Sequence, residues 1–219
     1  MSIKAVIFDM DGTLLDTERL LSKCLIDAAA EEGWTLEMDT VIDCIGTTEA
    51  ETEQIVSGAM GCDYPYDLIR EKGLQIFREY IEQHGIPFKS GAQRLLDCLD
   101  NKKIPYGLAT TTERRDVDEI LSFAGIRDRF STTVCGDEVV NGKPDPEIYL
   151  KAAENLGVSV NQTLVFEDSS PGINSAVTAG ARVIWIPDIQ HIPENVRERC
   201  YAEIGSLDAV CDRLGELVR

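Results

Sequence analysis

The sequence predicts an α/β fold: a doubly wound, mostly parallel, Rossmann-like core sheet carrying an all-helical insert. Two observations lead there. From about Gly91 onward, short apolar strands alternate with amphipathic helices, and strands that are apolar throughout, rather than at every second residue, belong to parallel sheets covered on both faces. Between the first strand and that alternation lie some seventy residues of purely helical texture. The 219 residues, 43% of them hydrophobic, suffice for one core domain and a smaller second one.

The elements follow in order. Lys4 to Phe8 reads as a short buried strand, bounded by Gly12. After Thr17, the residues Leu20, Leu21, Cys24, Leu25 and Ala28 recur at helical spacing, with charges on the other face. Helical texture continues through "TTEAETEQIVSGAM" and "YDLIREKGLQIFREYIEQHG", separated by the breakers Gly61 and Pro65 and ended by the turn "GIP" at Gly85 to Pro87. A helix near 91–101 then leads to the strand "PYGLATT", the helix "RRDVDEILSFAG" and the strand "TTVCG". The helix "PEIYLKAAENLG", the strand "TLVFED", the helix "PGINSAVTAG" and the strand "RVIWIP" complete the alternation. These boundaries divide the chain into a discontinuous core, 1–15 with 88–219, and a helical unit, 16–87.

Composition excludes several function classes. A net charge of −18 argues against nucleic-acid binding, which needs a basic footprint, and against a polybasic membrane contact. An anionic substrate therefore needs local cations. No run is apolar for long enough to span a bilayer, and the start "SIKAVIFD" lacks the pattern of a secretory signal. The seven cysteines are odd in number and scattered, without a C-x-x-C pair, which suits free thiols in a reducing cytoplasm. With only His84 and His191 present, a zinc site or a histidine triad has little support. Oligomeric state is not legible, and a monomer is compatible with the sequence.

The chemistry gathers at the carboxyl ends of the strands, where ligands bind in open α/β sheets. The first strand runs into Asp9 and Asp11, spaced two apart so that both point to one side if the strand continues. Like charges so close repel unless cations are near. The second strand ends in Thr110, Thr111 and Thr112, "TLVFED" ends in Glu167 and Asp168, and Lys143 lies in "NGKPDP". Carboxylates, hydroxyls and an ammonium are what Mg²⁺ and a phosphate group require. Blander readings exist for each: a strand-end turn for the aspartates, an exposed loop lysine for Lys143, and a helix N-cap for Thr112, with Glu113 just inside the helix. Convergence of four segments outweighs them for all but Thr112, which is assigned to the cap.

"DMDGT" at Asp9, the threonines from Thr110, "GKPDP" around Lys143 and "FEDSSPG" at Glu167 resemble, in order, the four motifs of the haloacid dehalogenase superfamily. The helical insert resembles its C1-type cap, and the chain as a whole is similar to the β-phosphoglucomutase-like phosphatases. The resemblance implies a Mg²⁺-dependent phosphomonoester hydrolase acting on a small phosphorylated metabolite such as a sugar phosphate. Asp9 would be the nucleophile that forms an aspartyl-phosphate. Asp11 would be the acid and then the base, its backbone carbonyl also binding the metal. Thr110, and less firmly Thr111, would hold the phosphoryl group, and Lys143 would stabilise its charge. Asp168 would complete the metal shell, with Glu167 either a ligand or just behind it.

Two other readings share the scaffold: a phosphosugar mutase and a catalytically silent binding module. The silent module is disfavoured because every motif residue is present, and dehalogenase activity because those relatives lack the aspartate at the place of Asp11. The mutases of this type carry a histidine after the "DT" step and an arginine in a cap loop. Here Leu20, Leu21 and "CIGTTEAETE" stand in those places, which favours hydrolysis. Thr47 and Thr48 in that loop read equally well as site residues or as a helix cap.

Overall fold

A computed structural model describes residues 2–218. Six parallel strands form one sheet: β1 (Ala5–Phe8), β2 (Tyr106–Ala109), β3 (Thr132–Val134), β4 (Thr163–Glu167), β5 (Arg182–Trp185) and β6 (Ala202–Glu203), in the order β3-β2-β1-β4-β5-β6. The N-terminal strand is thus central. Phe8 pairs with Leu108 on one side and Phe166 on the other, so the loops leaving β1, β2 and β4 emerge side by side. The chain winds outward in both directions from β1, and the crevice between such halves is where these sheets bind ligands.

Ten helices accompany the sheet among the described residues. Four follow β1: α1 (Thr17–Glu31), α2 (Met38–Asp43), α3 (Glu49–Met60) and α4 (Tyr66–His84). The other six are α5 (Ala92–Lys102), α6 (Arg114–Phe123), α7 (Glu147–Asn155), α8 (Ser170–Ala179), α9 (Glu194–Arg197) and α10 (Leu207–Leu217). The apolar residues of β1 alternate between two cores. Val6 and Phe8 pack with Leu95, Leu99, Leu121 and Leu214 of α5, α6 and α10, while Ile7 packs with Tyr149 and Ile173 of α7 and α8. A third cluster, built on Ala28, Val41, Val56 and Ile69, lies within α1–α4.

The two crossings between that helical unit and the sheet lie against each other. The Asp16 amide donates to the Pro87 carbonyl (2.9 Å), the Lys89 amide donates to the Leu14 carbonyl (3.1 Å), and Leu15 bridges antiparallel to Phe88. No described helix is long and apolar enough to cross a membrane.

Several elements differ from the sequence expectations. The sheet is wholly parallel. The short helix α2 and the C-terminal β6 were not expected, since a two-residue strand and a six-residue helix are too brief for periodicity to register. The helix α10 was not expected either, although Leu207, Val210, Leu214 and Leu217 recur at helical spacing. Cys98 and Cys211, expected as free thiols, are joined in a disulfide between α5 and α10. Helix packing brings together residues 113 apart in sequence, which spacing alone cannot show. Cys24, Cys44, Cys62, Cys135 and Cys200 are free.

Candidate active site

The site is assembled at the carboxyl edge of β1, β2 and β4. Asp9 leaves β1 with its amide donating to the Phe166 carbonyl (3.0 Å), which fixes its backbone to β4. Asp9, Glu167 and Asp168 each offer a carboxylate oxygen within 4.8 Å of the others, and all three are buried. Lys143 lies between two of them. Its side chain is 1% exposed and its Nζ donates to Asp9 Oδ1 (2.5 Å) and Glu167 Oε1 (2.6 Å).

The Glu167 carboxylate is saturated. Oε1 accepts from Lys143 and from the Tyr149 hydroxyl (2.9 Å). Oε2 accepts from the amides of Asp168 and Ser169 (both 2.9 Å) and from the Ser169 hydroxyl (3.0 Å). It sits at the start of α8, where backbone N–H groups favour negative charge. A Cβ on Gly172 would lie 1.6 Å from Glu167 Oε1, so only glycine allows α8 to approach this closely.

Asp168 differs. Its Oδ1 accepts from the Thr13 hydroxyl (2.8 Å), and its Oδ2 is buried without a hydrogen-bond partner. Asp188, in the loop after β5, has a side chain 1% exposed, accepts from Lys89 (2.8 Å), pairs with Arg19 (3.5 Å), and also leaves Oδ2 unpartnered. Both free oxygens face one place: a Cβ on Gly12 would lie 2.3 Å from Asp168 Oδ2 and 3.1 Å from Asp188 Oδ2. Gly12 also has φ +78°, a left-handed conformation that glycine adopts at little cost. Buried acceptors without donors are rare in folded proteins. A donor set made only of oxygen fits a hard divalent cation.

Asp11 stands apart from that cluster. Its Oδ1 accepts from Thr17 (2.5 Å) and its Oδ2 from Thr112 (2.9 Å). The Thr110 hydroxyl donates to Thr112 (3.1 Å) and accepts from the Thr112 amide (3.1 Å). Thr112 was assigned to the cap of α6, but the N-cap residue is Glu113. The Thr112 hydroxyl is turned inward because Asp11, 101 residues earlier, offers it a part-buried carboxylate oxygen. Thr48, by contrast, is a helix cap: it forms a reciprocal capping box with Glu51 at the start of α3.

Electrostatics follow from this crowding. Burial pushes Asp9 up from 3.8 to about 8, Lys143 opposing the shift and Glu167 adding to it. Asp11 is raised by burial, with the hydroxyls of Thr17 and Thr112 working against it. Asp168 is pushed well up by burial, then by Glu167 and Asp9, and half-buried Glu18 of α1 by burial, Asp11 and Asp9. Burial alone would lower Lys143, but Asp9 and Glu167 outweigh it and hold the ammonium well above its ordinary value. The cluster carries more carboxylates than Lys143 can neutralise, and a bound cation would supply the opposing charge.

A cavity of about 250 Å³ opens from these groups. Asp9, Asp11, Thr110, Thr111 and Asp168 line its floor, Glu18, Leu21 and Thr47 line its sides, and α2–α4 close it above. The sequence-derived residues Asp9, Asp11, Thr110, Thr111, Lys143, Glu167 and Asp168 thus gather at one place. Sequence reasoning missed Thr17, Glu18, Thr112 and Asp188 as participants. The strand-end rule applied once more, to "RVIWIPD", finds Asp188.

Buried carboxylates with a lysine beside them at the strand ends of an α/β fold are the groups that a divalent cation and a phosphate require. The family model for haloacid dehalogenase-like hydrolases matches residues 6–186, and the chain belongs to that family. It is 34% identical to the phosphorylated carbohydrates phosphatase of Thermotoga maritima over 84% of each chain. It is 34% identical to the probable pseudouridine-5'-phosphatase of Drosophila melanogaster over 83% of this chain and 80% of that one. The crystal structure of a putative β-phosphoglucomutase from Thermotoga maritima superposes with a TM-score of 0.79 at 29% identity, covering 98% of this chain and 100% of that one.

Proposed function

We propose that the protein is a Mg²⁺-dependent phosphomonoester hydrolase that acts on a small phosphorylated metabolite through an aspartyl-phosphate on Asp9. The observation that carries the reading is the pairing of buried Asp9 with Lys143 beside the unpartnered Asp168 Oδ2. Asp9 and Asp168 would hold the metal, with the Asp11 backbone carbonyl. Glu167, its lone pairs already taken, is assigned behind the metal, orienting Lys143. When bound, Mg²⁺ supplies charge neutralisation that lets an anionic phosphate approach an anionic carboxylate.

The chain's own groups supply the rest. Lys143 opposes the protonation of Asp9 that burial favours and, together with bound Mg²⁺, would hold it ionised and aligned for in-line attack on phosphorus. Asp11, raised in pKa and pointed by Thr17 and Thr112, gives its proton to the leaving alcohol and then takes one from water. Thr110 and Thr111 hold phosphoryl oxygens. Residues 16–87 act as a cap over the core, 1–15 with 88–219, and exclude bulk water.

Hydrolysis is favoured over mutase chemistry by the cavity's charges. Among the described residues lining the cavity, Arg70 is the one cation and its Nε is paired with Glu49 (2.5 Å), while Glu18, Glu113 and Asp116 add negative charge that would repel a second phosphate. The names of the relatives support phosphorylated carbohydrates among the substrates. A cytoplasmic protein that binds neither nucleic acid nor membrane completes the reading, supported by the acidic composition.

Phosphate release from a panel of phosphorylated metabolites is expected with Mg²⁺, to vanish in excess chelator and to return with Mg²⁺. Undiminished turnover in chelator would remove the metal from the reading. A second expectation concerns pH. Without metal, the folded protein keeps a proton on Asp9 between about pH 3.8 and 8 that the unfolded chain has released, so this group's contribution to stability falls as pH rises through that window. Mg²⁺ binds the ionised form, and its own affinity is weakened by protons at low pH. Its rise in Tm is therefore expected to be larger at pH 8 than at pH 5.5. Equal shifts at both would show that the carboxylates do not compete with protons for the ion.

A further inference from the structure

We infer that the leaving alcohol ends in an apolar group: the preferred substrates are phosphate monoesters with a short hydrocarbon or ring terminus, not alcohols hydroxylated along their whole length. This rests on the phosphatase reading for which end of the cavity takes the phosphate. Leu21, Leu25, Leu36, Val41, Val56 and Ile69 line the part of the cavity beyond Asp9 and Asp11. Several of these also belong to the apolar cluster inside α1–α4, so the cavity runs into the interior of the cap.

Several polar groups along that part of the lining already bond one another. Arg70 pairs with Glu49 (2.5 Å), and the Tyr66 hydroxyl donates to the same Glu49 oxygen (3.0 Å). Thr47 donates to the Cys44 carbonyl (2.7 Å) and shares a hydrogen bond with Thr52 (2.9 Å). The Ser22 hydroxyl donates to the Glu18 carbonyl (2.6 Å). A substrate hydroxyl placed against those leucine, valine and isoleucine side chains would give up water for hydrocarbon, which is costly. A methylene placed there gains. The hydroxyls close to the phosphate have a different environment, since Glu18 and Thr111 lie at that end, so a sugar-like stem beside the phosphate is compatible with an apolar tip.

The test uses the intact protein with Mg²⁺ and two homologous series. The first compares kcat/KM for ethyl, butyl and hexyl phosphate with glucose 6-phosphate and p-nitrophenyl phosphate. The second measures affinity for the hydrolysis-resistant ethyl-, butyl- and hexylphosphonates by calorimetry. Both series should improve roughly fourfold per added CH₂ until the cavity is filled, and hexyl phosphate should exceed glucose 6-phosphate. Val41→Phe, which narrows the cavity, should flatten both slopes. Flat or falling series in the wild type, or slopes unchanged in the variant, would overturn the inference. Phosphonate affinity that climbs with chain length while no ester releases phosphate would remove the phosphatase reading but support the apolar subsite.

Discussion

Asp9→Asn is expected to lose turnover by a factor on the order of a million, the size of loss seen when other covalent catalysts lose their nucleophile. An amide cannot attack phosphorus to give an acyl phosphate. The fold should survive, because burial already disfavours the Asp9 charge and Lys143 keeps Glu167 as a partner at 2.6 Å. Single-turnover assays, circular dichroism and mass mapping of any phosphorylated residue test this together. Wild-type protein trapped during turnover should carry phosphate on Asp9. Phosphate mapped to Asp168 or to a threonine, or a folded Asn variant with near-normal rates, would defeat the assignment.

Lys143→Ala is expected to damage both stability and rate. The lysine is the cation held between two buried carboxylates, with its side chain 1% exposed. Removing one side of a buried, hydrogen-bonded ion pair typically costs about 3–5 kcal/mol, because the partner charge is left uncompensated. For a chain of this size that is a fall in Tm of roughly 6–20 °C. The transferring phosphoryl group loses a preorganised donor as well, and a kcat loss of about 10²–10³ is expected. Mg²⁺ should restore part of the Tm and little of the rate, since it can offset the net charge but not replace Nζ at its position. A variant as stable and as active as the wild type would show that Lys143 is peripheral.

Much of this site could be read from the chain because its residues sit at strand ends, and strands with apolar runs are recognisable. Asp9, Thr110 and Glu167 each directly follow or end such a run. The contacts that orient them were not legible. Thr112 lies on a helix-start sequence and looks like a cap, but a part-buried carboxylate from the loop after β1 competes for its hydroxyl. Asp188 follows the last recognised strand, and its tie to Lys89 crosses 99 residues. Glu167 shows the limit in another way. The "FED" sequence places two carboxylates together, but only the packing of Tyr149 and Lys143 against the first separates a saturated group from its free neighbour. β6 went unseen because two residues cannot show a period, whereas α10 carries one, with Leu207, Val210, Leu214 and Leu217 at helical spacing.

The backbone pairing of Leu14–Asp16 with Pro87–Lys89 means that the helical unit leaves and rejoins the core at one point. The intervening chain is therefore a closed loop whose ends are held together by the core itself. Since loop-closure cost grows only slowly with length, the sheet is thermodynamically nearly indifferent to what is threaded there. A short turn, a different helical bundle or a larger module could occupy the same doorway without changing the register of β1. The chemistry at the floor and the chemistry of selection above it are thereby free to vary separately, like a socket that accepts interchangeable heads.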